Sequence, residues 1–160
     1  MQTYRDNAGR TWTVAIDVAA IKRVRALIGY DLLSMLNGNG SQRLITDPVL
    51  LVDVLYALCR PEADRLSVTD EEFGRSMAGD AIEHATQALL EELVSFCPNP
   101  RDRKNLRRAV SAMWTTMEKA RDVMESRIES DLESEMNRRL AALGGSSGSS
   151  PGSSASIPTG

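Results

Sequence analysis

With a single histidine and two cysteines in 160 residues, the chain has almost none of the side chains from which transition-metal sites are built. His84 has no second histidine and no thiol pair to join it, so no metal is expected. Cys59 and Cys97 do not amount to a disulfide framework, and in a reducing compartment such thiols stay free. Aromatic residues are only 4%. That leaves a core of Leu, Val, Ile, Met and Ala, which suits packed helices better than a β-sandwich. Neither sign of charge dominates. The 19 basic and 22 acidic residues leave a net charge of −3, which gives no general pull towards nucleic acid or anionic membrane. No run approaches the roughly 20 apolar residues of a membrane span. The first residues, Met1-Gln2-Thr3-Tyr4-Arg5-Asp6, lack the apolar stretch of a signal peptide. The expectation is a protein that stays in the cytoplasm of the cell that makes it.

Catalytic signals are equally sparse. His84 lies among Glu83, Ala85 and Thr86, without the orienting partners an acid–base site requires. Gly38-Asn39-Gly40 lacks the lysine and helix that follow a phosphate-binding loop. Asp70-Glu71-Glu72 and Glu91-Glu92 read as helix starts and solvated faces, whereas an acid–base pair needs burial to split its pKa values. No catalytic residue, cofactor or metal ligand is expected, and the chain does not read as an enzyme.

What the chain does contain is helix and turn punctuation. Thr3-Tyr4 and Thr11 to Ile16 are β-prone, with Asp6-Asn7-Ala8-Gly9 as turn residues between them. Trp12, Val14 and Ile16 alternate with polar or small residues, so one hairpin face can be buried against helices. Asp17 caps a helix over 18–28 ending near Gly29, with Val18, Ile21, Val24 and Ile28 on one face and Lys22, Arg23 and Arg25 pointing elsewhere. A short helix over 31–37 stops at Asn37-Gly38-Asn39-Gly40, a loop. Asp47-Pro48 opens a helix from Val49 to Cys59 that is apolar nearly all round. Thr69 and Glu72 form a capping box, with Val68 and Phe73 as its hydrophobic staple. Asp80 opens a helix over 81–97 with the stripe Ile82, Ala85, Leu89, Leu93 and Phe96.

Asn99 and Pro100 then start a helix reaching about Leu143. It would span roughly 65 Å at 1.5 Å per residue. Leu106, Val110, Met113, Met117, Ala120 and Met124 step by fours and threes, a coiled-coil-like seam. Ile128, Leu132, Met136 and Leu140 step by four only, so the stripe drifts around the helix and packs less firmly. Arg121–Glu125, Arg127–Asp131 and Glu135–Arg139 are spaced to pair on its surface. Residues 144–160 are Gly, Ser and Pro with little to bury, a disordered tail or linker. The expected fold is mainly α: an N-terminal β-hairpin packed on a small helical bundle over 1–97, a long amphipathic helix over 98–143, and the tail.

Two groups on the long helix are candidate binding residues. Arg101, Arg103, Lys104, Arg107 and Arg108 form a basic cluster at a helix start, where cations are disfavoured. With Trp114 as the nearby aromatic and no groove-reading motif, the cluster reads as a solvated face or a patch for an acidic protein partner, ahead of a polyanion site. Met113, Met117 and Met124 offer an adaptable apolar face, read either as ordinary packing or as a surface for varied helical clients.

The segments Asp6-Asn7-Ala8-Gly9-Arg10-Thr11-Trp12-Thr13-Val14, Asp47-Pro48-Val49-Leu50 and Asp70-Glu71-Glu72-Phe73-Gly74 resemble tail assembly chaperones of long-tailed bacteriophages and prophages. The likeness covers roughly residues 4–97, and the long C-terminal helix departs from the family pattern. The resemblance implies a chaperone that coats the helical, aggregation-prone tape measure protein before the tail tube forms around it. It also implies a frameshift-extended form that recruits the tail tube protein, and absence from the mature virion. No catalytic residues are carried over from the family. The alternative readings are a structural tail component, a self-associating coiled-coil adaptor forming homo-oligomers, and, behind these, a nucleic-acid-binding regulator using Arg101–Arg108. No membrane partner is expected, and nucleic acid is not a favoured one.

Overall fold

The computed structural model describes residues 1–36 and 41–145, together with 152, 156, 158 and 160. The expected Asn37–Gly40 loop and most of the expected tail lie outside these residues, as do the side chains of Ser41 and Gln42. The fold is mainly α, with one antiparallel hairpin and six α-helices among the described residues. The chain divides into two compact units, Met1–Ala112 and Met113–Gly160, so the first unit takes in the opening turns of the long helix.

Strands β1 (Gln2–Arg5) and β2 (Thr11–Val14) pair with Tyr4 opposite Trp12. The alternation read from the sequence places Tyr4, Trp12 and Val14 inward, and Ile16 follows them into the core. The turn closes through Gly9 N–H to the Asp6 carbonyl, with Gly9 at φ 81, a conformation glycine adopts without steric cost.

Helix α1 (Val18–Ile28) starts as expected on Asp17, whose side chain accepts from Ala20 N–H, and ends at Gly29 in the left-handed conformation. Its buried face differs from the expected one. Val18 is 60% exposed, and Ala20, Ile21 and Val24 do the packing. The expected 31–37 helix is a single 3-10 turn, Leu32–Met35. A six-residue helix, α2 (Ser41–Thr46), precedes α3 (Pro48–Leu66).

Helix α3 runs seven residues beyond the expected end at Cys59, through Pro61. Proline has no N–H, so the carbonyl four residues back has no helical donor. Arg23, from α1, supplies one: its guanidinium donates to the Ala57 and Leu58 carbonyls, both at 3.1 Å. The apolar surface of α3 is not buried all round: Val49 stays 69% exposed while Leu51, Val54, Leu55 and Leu58 are buried.

Helix α4 (Asp70–Ser76) carries both halves of the Thr69–Glu72 capping box, with Val68 and Phe73 buried beside it. In α5 (Asp80–Phe96), Asp80 is the first helical residue and Gly79 occupies the cap position without a side-chain hydrogen bond. Helix α5 packs on β1, α1 on α3, and α3 on β2. The centre of this unit is Trp12, whose ring meets Phe73 edge-on at 5.0 Å, with Tyr56 against Phe73 at 5.3 Å. Helix α6 (Pro100–Gly144) begins on Asn99, whose side chain accepts from Arg101 N–H at 3.0 Å.

Candidate functional site

Among the described residues, places that can carry chemistry or binding include the polar groups buried in the first unit and the long face of α6.

Asp6 is the most elaborately held of the buried polar groups. Read from sequence as a turn residue, it is only 5% exposed. Its carboxylate accepts from Arg10 N–H at 2.8 Å, Arg10 Nε at 2.8 Å and Trp12 Nε1 at 2.9 Å. Burial by itself would raise its pKa. The bonds from Trp12, Arg10 and Ser76 outweigh that and hold the carboxyl below its ordinary value. Both oxygens are engaged within the fold, so Asp6 ties turn, strand and α4 together.

Glu92 corrects the expectation of a solvated face. It is 8% exposed and accepts from the Met1 ammonium and from Ile16 N–H. Glu62 accepts from Thr13 N–H at 2.9 Å, joining α3 to β2. His84 is exposed on α5. Among the described residues no His, Cys, Asp or Glu grouping is placed to hold a metal ion, and no helix is long and apolar enough to cross a membrane.

Both cysteines are free and buried. Burial pushes the Cys59 thiol up to about 12. The Tyr4 hydroxyl, raised well above its usual range by burial, lies within electrostatic reach of that thiol. A thiol this hard to ionise is a poor nucleophile. Cys59 should therefore resist iodoacetamide at pH 8 in the folded protein and react on the order of a hundred-fold faster in guanidinium. Peptide mass spectrometry reads both rates, and fast labelling of the folded chain would show that the packing around Cys59 opens.

The sequence-predicted residues divide along α6. Arg101, Lys104, Arg107 and Arg108 are exposed, whereas Arg103 is half-buried and donates from Nε to the Cys97 carbonyl at 3.0 Å. Arg103 thus satisfies an end carbonyl of α5 and is engaged structurally. The remaining cations share one broad side of the helix: Arg101, Lys104 and Arg107 follow each other at i, i+3 spacing, and Arg108 lies between Arg101 and Lys104 around the axis.

Met113 and Met117 are half-buried, while Met124 is 65% exposed. From there the apolar residues stay open: Met124, Ile128, Leu132, Met136, Leu140 and Leu143 are 57–79% exposed. No family model, curated protein or solved structure matches this chain. Among its described residues the second unit has one helix, and those residues offer no second surface on which to bury such side chains. Exposed large apolar residues recurring along one stripe, unlike scattered single ones, mark an interaction surface. Spacing revealed the stripe, and only the structure showed that it lies open beyond Met117.

Proposed function

We propose that this protein is a tail assembly chaperone of a long-tailed bacteriophage or prophage, which holds helical segments of the tape measure protein against the exposed face of α6. The observation that carries the reading is the open stripe from Met124 to Leu143, which is what a helix-in-groove partner requires. The resemblance of the hairpin turn, the Asp47-Pro48 helix start and the Asp70–Gly74 segment supports the choice of client. The act is stoichiometric binding, in which apolar burial at about 25 cal/mol per Å² supplies the attraction and no bond is made or broken. Met113 and Met117 flank the open stripe, and Met124 belongs to it.

Co-expression with a tape measure fragment tests the proposal. Met124→Asp combined with Leu132→Asp should move the client from the soluble to the insoluble fraction while the chaperone itself stays folded. Undiminished client solubility would remove α6 as the binding face. The seam from Leu106 to Met124 also supports a structural role in the tail. Mass spectrometry of purified particles separates the two readings, because a chaperone is absent from the virion and a tail component is present.

A further inference from the structure

The charges around the open stripe say which helices it can accept. This inference rests on the helix-binding reading above and adds the chemistry of the partner. Leu132 is 64% exposed. Its neighbours at i−3, i−1, i+1 and i+3 are Glu129, Asp131, Glu133 and Glu135, all exposed. Residues three apart share a helix surface, and adjacent residues stand about 100° to either side. An apolar contact at Leu132 is therefore bracketed by four carboxylates. Between 122 and 135 there are six carboxylates, on Asp122, Glu125, Glu129, Asp131, Glu133 and Glu135, against the one guanidinium of Arg127. The next cations along, Arg138 and Arg139, close back on Glu135 at 3.4 and 3.1 Å.

The two symmetric alignments of a second copy on Leu132 put like charges together on this face. A parallel, in-register pair sets each carboxylate beside its own duplicate. An antiparallel pair centred on Leu132 sets Glu129 against Glu135 and Asp131 against Glu133. Flanking charges of this kind decide partner and orientation in paired helices. We propose that the Met124–Leu143 stripe takes a basic amphipathic helix, with lysine or arginine along an aliphatic seam, and turns away acidic helices and its own duplicate.

The test uses the full chain and two labelled, end-blocked 21-residue peptides with the same leucine and isoleucine seam, one flanked by lysine and one by glutamate. Fluorescence anisotropy at low salt should show the lysine peptide binding about ten-fold more tightly, the product of several weak exposed ion pairs. The preference should shrink as salt rises. It should vanish when Glu129→Gln, Asp131→Asn, Glu133→Gln and Glu135→Gln are combined, with the unfolding transition of the first unit unchanged. Equal affinity for the two peptides in the unmodified chain overturns the charge selection and leaves helix binding standing. Failure of both peptides to bind, or binding indifferent to Leu132→Asp, overturns both. A dimer in sedimentation that Leu132→Asp dissolves also overturns the inference, because the occupant is then a second copy.

Discussion

Trp12→Ala is expected to destabilise the Met1–Ala112 unit by about 3–5 kcal/mol, a large share of the roughly 5–15 kcal/mol a domain of this kind possesses. Trp12 is wholly buried, and with aromatics at only 4% of the chain no comparable side chain can refill its volume. Its ring is the edge partner of Phe73, which also carries Tyr56. Truncation therefore removes the support of a second ring as well as its own area. Trp12→Phe separates volume from hydrogen bonding. It keeps most of the ring and loses the N–H that reaches Asp6 at 2.9 Å, for a cost of about 1–2 kcal/mol. Urea titration followed by far-ultraviolet circular dichroism compares the two. Equal losses would mean that the N–H, and not the packed ring, holds the hairpin to the helices.

Asp6→Ala is expected to cost about 2–4 kcal/mol and to change how stability responds to acid. Removing the carboxylate leaves the buried Trp12 Nε1–H without its acceptor, while the Arg10 side chain, partly exposed, can turn to water. The sign of the pH effect follows from the depressed pKa. The folded carboxyl titrates below its ordinary value of 3.8, so in that interval the unfolded chain binds more protons than the folded one. The contribution of Asp6 is complete above the unfolded value and is lost as pH falls through the folded one. Unfolding free energy should therefore drop steeply below about pH 4 in the unmodified chain, and Asp6→Asn should flatten that drop while lowering stability at neutral pH. An acid slope unchanged in Asp6→Asn would assign the transition to other carboxylates.

The features that sequence reading recovered are those written within one turn of chain. The Asp17, Asp47, Thr69 and Asn99 starts all hold, because a cap side chain and the N–H groups it serves lie two or three residues apart. The inward set of the hairpin holds because alternation of side chains is a property of the strand itself. The misreadings share a different origin. Helix α3 passes through Pro61 because a guanidinium 34 residues away in sequence reaches the carbonyl that proline strands. Glu92 is buried because the chain's own first residue and Ile16 come to it. Val18 and Val49 lie in the right pattern for burial and are left outside.

The same division runs through the candidate site. The amino-acid order alone established a mainly helical chain with an N-terminal hairpin, and a long last helix whose apolar stripe and flanking carboxylates are countable by spacing. Only the tertiary structure decided which stripes are used up inside the first unit, that Arg103 is committed to α5, and that the apolar residues beyond Met117 lie open. Helix periodicity and capping are satisfied by neighbours along the chain. Burial needs a second surface, and which surface arrives is settled by contacts between residues far apart in sequence.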